Sequence, residues 1–190
     1  MSATETYIAR LLALQEAKCS LLRGLAGRRL DDSLAGFDLF TGLWWPLRAA
    51  SPAVPRREPS WLVAKLHGAA RVPHVRPERG LGPLLPAVLA VCEPSDPPEY
   101  KARDRFRKRF DALLSSPLAA LEPHLRWALA EVGRAVHGRV PEARRVQGID
   151  WARLLDELSI WDRGAQHRFD RDIRDIWAEA YLKAADARRA

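Results

Sequence analysis

The chain has 190 residues, 47% of them apolar, enough for a buried core in one domain or two small ones. Its 31 Lys and Arg outweigh 24 Asp and Glu by a formal +7, with a sequence pI near 10.0, which favours a polyanionic partner because neutralised phosphates release their counterions. Cys19 and Cys92 lie far apart and form no CxxC, which excludes a disulfide scaffold and points to reduced, buried thiols in a cytoplasmic protein.

The first residues, MSATETYIARLLALQEAK, lack a basic stretch followed by an apolar run, so no secretory leader is expected. No apolar stretch reaches the ~18 residues of a membrane span, and no membrane partner is expected. Ser2 and Glu5 have capping-box spacing ahead of Ile8, Leu11, Leu12, Cys19, Leu22 and Leu25, which predicts one long amphipathic helix ending near Gly24 and Gly27. Asp31, Asp32 or Ser33 then caps a short apolar helix that stops at Pro46. A Pro-rich connection over 51–60 leads to a helix around Trp61, Leu62, Lys65 and Leu66. The basic, breaker-rich loop 71–80 precedes LGPLLPAVLAV, whose prolines predict a short buried helix or bent pair.

Three prolines in the polar stretch 93–100 cannot continue a helix, so the chain is expected to divide there into helical lobes 1–95 and 96–190. Ala102, Phe106, Phe110, Leu113 and Leu114 then form one helical stripe. Leu118, Leu121, Leu125, Leu129, Val132 and Val136 form a second, with Pro123 starting or kinking it. Trp151, Leu154, Leu155 and Leu158 follow behind Asp150, a candidate N-cap, and Phe169, Ile173, Ile176, Trp177, Ala180 and Tyr181 share the face of a last helix. No segment alternates as a strand does, so the fold class is all-α.

Lys101, Arg103, Arg105, Arg107, Lys108 and Arg109 crowd the helix that carries Phe106 and Phe110, with Asp104 interrupting the charge. Arg103 and Arg107 share one edge; Lys101, Arg105 and Lys108 share the outward face. Like charges at i, i+4 repel, and a phosphate backbone relieves that repulsion. Arg28, Arg29, Arg71, Arg76 and Arg79, with His74, add further basic positions, and Arg56–Arg57 and Arg144–Arg145 resemble solvated pairs. Trp61, Trp127, Trp151, Trp161 and Trp177 lie on or beside apolar stripes and are read as core, whereas of Trp44 and Trp45 one faces the core and the other an interface.

The five histidines show no HxxxH or HExxH spacing, and no nucleophile elbow or glycine-rich phosphate loop is present. Asp170, Asp172 and Asp175 alternate with Arg168, Arg171 and Arg174 in the pattern of an ion-paired solvated face. No metal, cofactor or catalytic residue is expected.

The order of segments resembles the CasB family, the small subunit of the type I-E CRISPR Cascade complex. LLRGLAGRRL, FDLFTGLWWPL, RGLGPLLPAVL, RFRKRFDALLSS, IDWARLLDELSIW and DIRDIWAEAYL carry the resemblance, from about residue 8 to 182. It implies a two-lobed, helical, non-catalytic subunit in antiviral defence, present in two copies among other Cascade subunits. It also implies that such a subunit helps hold guide RNA and target DNA and stabilises the displaced strand of the R-loop. The matching basic positions are Arg28 and Arg29, the loop with Arg71, Arg76 and Arg79, and Arg107, Lys108 and Arg109 before Phe110. Pro83 departs from the basic residue that relatives often place there. The rival reading is a helical, sequence-specific DNA-binding regulator, which needs a short turn feeding a base-reading helix; prolines precede the 101–109 helix, and its flanks are arginine rather than Asn, Gln or Ser.

Overall fold

The computed structural model describes residues 2–76, 82–94, 100–138, 146–163 and 171–188. Among these residues the fold is all-helical. Its helices are α1 (Ala3–Leu12), α2 (Glu16–Gly24), α3 (Leu34–Ala50), α4 (Arg57–Ala70), α5 (Leu85–Val91), α6 (Tyr100–Ser115), α7 (Glu122–His137), α8 (Trp151–Ser159) and α9 (Ile173–Ala187). Short 3-10 turns cover Leu30–Asp32 and Leu118–Ala120. No helix among the described residues is long and apolar enough to cross a membrane.

Contacts gather the chain into two units, Met1–Arg71 with Trp151–Ser159, and Val72–Asp150 with Ile160–Ala190. This division differs from lobes at 1–95 and 96–190. Loop 72–76 and α5 cluster with the second unit, and α8 clusters with the first, where it packs on α1 and α4. The proline-rich 95–99 stretch lies outside the described residues.

In the first unit the Ser2–Glu5 capping box forms as its spacing predicts: the Glu5 N–H donates to Ser2 Oγ at 3.1 Å, and the Ser2 N–H to Glu5 Oε2 at 2.5 Å. The expected long first helix is instead two, because the chain leaves α1 at Ala13 and is extended at Gln15 before α2 starts. The apolar spacing runs on across the break, yet α1 packs against α3 and α8 while α2 packs chiefly against α4 and more lightly on α3. Gly68 permits that last approach: a Cβ there would sit 2.7 Å from Leu22 Cβ and 2.8 Å from the Cys19 carbonyl oxygen.

Ser33 caps α3, accepting the Gly36 N–H at 3.2 Å. The helix then runs through Pro46 to Ala50, past the expected stop. Pro46 is exposed, so the hydrogen bond its ring removes lies on the wet side of the helix. Phe40 stacks on Trp44 at 6.0 Å and meets Trp61 edge-on at 5.6 Å. Buried Tyr7 donates its hydroxyl to the Ser60 carbonyl at 2.8 Å, and burial pushes its pKa upward.

In the second unit α5 packs on α9 and α7, and α6 lies against α7 and α9. Trp161 and Trp177 form a buried T-shaped pair at 4.8 Å, and the Trp161 indole N–H donates to the Ser116 carbonyl at 2.9 Å. Phe110 stacks on Tyr181 at 4.2 Å. Of the tryptophans read as core, Trp61, Trp151, Trp161 and Trp177 are buried, whereas Trp127 is half-exposed. Trp45 stands 60% exposed, whereas Trp44 is half-buried and donates its indole N–H to the Pro55 carbonyl at 2.9 Å. Both cysteines are half-buried rather than buried, and loss of hydration pushes the Cys92 thiol up to about 12.

Truncating Trp177 to Ala is expected to cost ~3–5 kcal/mol in denaturant unfolding, since it empties a buried aromatic site. Trp45→Ala, at an exposed site, is expected to change stability by no more than ~0.5 kcal/mol.

Candidate nucleic-acid interface

Helix α6 owes its orientation to its apolar stripe. Phe106, Phe110 and Leu113 are buried, and this choice sorts the cations between them. Arg103 and Arg107 stand on the inward edge. The Arg103 Nε donates to the Pro94 carbonyl at 3.1 Å. Arg107 donates Nε and Nη2 to the two oxygens of Glu93, the second bond at 3.3 Å. The Glu93 side chain is only 5% exposed, so the fork supplies hydrogen-bond partners that water does not. The Arg107 pKa is raised, chiefly by that hydrogen bond. Arg188 closes the same corner by donating to the Val91 carbonyl at 3.2 Å and to the Glu93 carbonyl, which satisfies the free end of α5.

Lys101, Arg105, Lys108 and Arg109 are exposed. Lys108 pairs with Asp104 at 2.8 Å, an i, i+4 contact worth little at such exposure. Arg105 donates to the Lys101 carbonyl at 3.2 Å. Among the described residues neither Arg105 nor Arg109 has a carboxylate partner.

A groove of about 440 Å³ opens between this face and α7. Arg105, Lys108 and Arg109 line it from α6, and Trp127, Glu131 and Arg134 from α7. The Arg109 guanidinium lies over the Trp127 ring at 5.8 Å, and Phe106 meets that ring edge-on at 5.0 Å. The indole N–H donates to Glu131 Oε1 at 2.9 Å, and the same carboxylate pairs with Arg134.

Arg28, Arg29 and Arg71 belong to the first unit. The Arg28 carbonyl accepts both the Trp61 indole N–H at 3.3 Å and the buried Lys65 ammonium at 2.9 Å. The Arg29 N–H donates to Asp32 at 2.9 Å. Main-chain bonds thus hold this basic step, and both guanidinium groups are left exposed. Arg71 ends α4 in a left-handed conformation (φ 50°) and pairs with Glu16, which also meets Arg23 at 3.4 Å.

Arg76 is an exposed cation of the second unit, and Arg79 lies outside the described residues. The strand of loop leading to Arg76 is pinned: the Val75 N–H donates to Ile149 at 2.9 Å, and the Ile149 N–H to Pro73 at 3.1 Å. Gly148 (φ +149°) makes that bridge possible, because a Cβ would collide with the Pro73 carbonyl.

A family model described as CRISPR-associated protein Cse2 matches residues 17–182. The chain belongs to the Cse2 family. This is the CasB small subunit of type I-E Cascade, so the family resemblance carried by the segment order holds. The crystal structure of a Cse2-family CRISPR-associated protein from Thermus thermophilus is similar over 96% of this chain and 99% of that one, at 25% identity and a TM-score of 0.56. No curated protein matches the sequence. Membership in Cse2 makes the chain a Cascade subunit in CRISPR defence.

Against that background, the residue that reading the sequence missed is Trp127, assigned to the core. Trp127, Glu131 and Arg134 recur at i, i+4 and i+7, a face distinct from Leu125, Leu129 and Val132, and that spacing was the available signal. Among the described residues no group of three or more His, Cys, Asp or Glu could hold a metal ion. In the Asp/Arg alternation Asp172 caps α9 by accepting the Arg174 N–H at 2.9 Å, Arg174 meets Asp162 at 3.4 Å, and Arg171 pairs with Glu179 at 2.6 Å. Asp170 lies outside the described residues.

Arg107→Ala is expected to lower unfolding stability by ~1–3 kcal/mol, because it leaves the buried Glu93 carboxylate unpaired. Adding Glu93→Leu is expected to restore most of that loss, and Arg105→Ala alone to leave stability within ~0.5 kcal/mol. Urea titrations of the variants check all of these.

Proposed function

We propose that this Cse2 chain is a non-catalytic, nucleic-acid-binding Cascade subunit that holds guide RNA and target DNA by their backbones and stabilises the displaced strand of the R-loop. The observation that carries this reading is the cationic outer face of α6, where Arg105 and Arg109 are exposed with no carboxylate partner among the described residues. The main-chain-braced Arg28–Arg29 step supports it from the first unit. The reading also includes a cytoplasmic setting, a second copy of the chain in the complex, and contacts to the other Cascade subunits.

Backbone holding suits the energetics of RNA-guided recognition. Base pairing reads sequence, and exchange of a DNA duplex for a heteroduplex is nearly balanced, so a few charge-assisted phosphate contacts tip it. Within the set named from sequence, Arg105, Lys108, Arg109, Lys101, Arg28, Arg29 and Arg76 are the phosphate-binding candidates. Arg103 and Arg107 serve the α5–α6 corner, and Arg71 serves the end of α4.

The deciding experiment is co-expression of the tagged chain with the larger CRISPR subunits and a guide RNA. Recovery of an RNA-containing complex is expected, and a chain that elutes alone and monodisperse would defeat the reading. In titrations with single-stranded DNA, Arg105→Ala with Arg109→Ala is expected to flatten the log–log salt dependence by ~0.7 per lost contact, equally for every sequence. Preference of ~10³-fold or more for one operator would favour a sequence-specific regulator instead. With Mg²⁺ or Mn²⁺ and labelled DNA, no cleavage is expected.

A further inference from the structure

We propose that the groove between α6 and α7 takes one unpaired base of a single-stranded nucleic acid, with Trp127 as its stacking platform. This inference rests on the nucleic-acid reading above and deepens it, from a charged surface to a site that reads whether a strand is unpaired.

Three observations support the assignment. The first is size. A groove of about 440 Å³ lies within the ~300–1,000 Å³ typical of sites for small organic groups, and a flat cationic face requires no such recess. The second is rigidity. Phe106, itself buried, meets the indole in a T-shaped contact at 5.0 Å, and Glu131 holds the indole N–H at 2.9 Å. The ring is therefore held in one orientation before any ligand arrives, so a stacked base does not have to order it.

The third is charge. Arg105, Lys108, Arg109 and Arg134 line the groove with the ring, against one lining carboxylate, Glu131, whose Oε1 takes both the Trp127 N–H and Arg134. A phosphate on either side of the stacked base meets cations.

Arg109 defines the exchange that binding requires. Its guanidinium lies over the Trp127 ring at 5.8 Å. A cation–π contact at an exposed site is weaker than a base stack, so a base displaces the guanidinium from the ring. The released Arg109 then pairs with the adjoining phosphate. A base inside a duplex does not fit this arrangement, because it is already stacked on both faces and paired. Selectivity for unpaired strand follows from the chemistry of the platform, without base-edge readout.

The test uses the full chain and two 20-nucleotide probes, oligo-dT and the same sugar-phosphate chain with abasic sites throughout. Wild type is expected to bind oligo-dT about 5- to 150-fold more tightly than the abasic strand. Trp127→Leu is expected to erase that ratio while leaving the salt slope unchanged. Trp127→Phe, which keeps an aromatic face, is expected to retain part of it. Circular dichroism and a denaturant midpoint close to wild type certify the Leu variant as folded.

If Trp127→Leu keeps the full oligo-dT preference, the stacking assignment is overturned and the backbone-binding reading stands. If wild type binds neither probe at low salt, both fall together. If polyglutamate competes with oligo-dT charge for charge and the abasic strand binds as well as oligo-dT, the groove serves acidic protein, and the assignment is likewise overturned.

Discussion

The rotation of α6 about its own axis decides which of its cations face solvent and which brace the scaffold. A helix with a cation at nearly every other position has no intrinsic front or back; burial of Phe106, Phe110 and Leu113 gives it one. Once those rings are seated, every arginine is assigned by geometry. Arg103 and Arg107 fall on the inward edge and become part of the scaffold, and Arg105 and Arg109 fall outside it.

The Glu93–Arg107 fork illustrates how a charge is spent on architecture. A carboxylate buried at the end of α5 is costly unless paired, and it also adds negative charge where the helix dipole is already negative. Arg107 and Arg188 answer both problems, one through the side chain and one through the terminal carbonyls. In the first unit buried Lys65 plays the comparable part, with its ammonium on the Arg28 carbonyl and over the Trp61 ring. In each case a cation tied to the backbone fixes a neighbouring segment. The side chains of Arg28, Arg29, Arg105 and Arg109 are consequently presented from supported backbone.

Sequence periodicity made several of these elements legible. The α6 and α7 stripes, the Ser2–Glu5 box and the cap at Ser33 are local properties, decided by residues within one or two turns of each other. The helix break at 13–15 was not legible, because the apolar spacing is continuous while the two halves have different main packing partners, α3 and α8 for one and α4 for the other. The passage of α3 through Pro46 was hidden for a related reason: a proline on a wet face loses only one hydrogen bond. Among the site residues, the density of cations on α6 was evident, but their division was not.

From residues alone came the helical class, the family likeness, the basic balance and the helix that concentrates it. All of these reside in composition and short-range spacing. Tertiary structure decided which cations are consumed by the scaffold and which tryptophan lines a groove. Those outcomes hang on Glu93 meeting Arg107 fourteen positions away, and on α7 presenting Trp127 beneath Arg109. Such pairings depend on how two helices are set against each other, and no periodicity within either one encodes that setting.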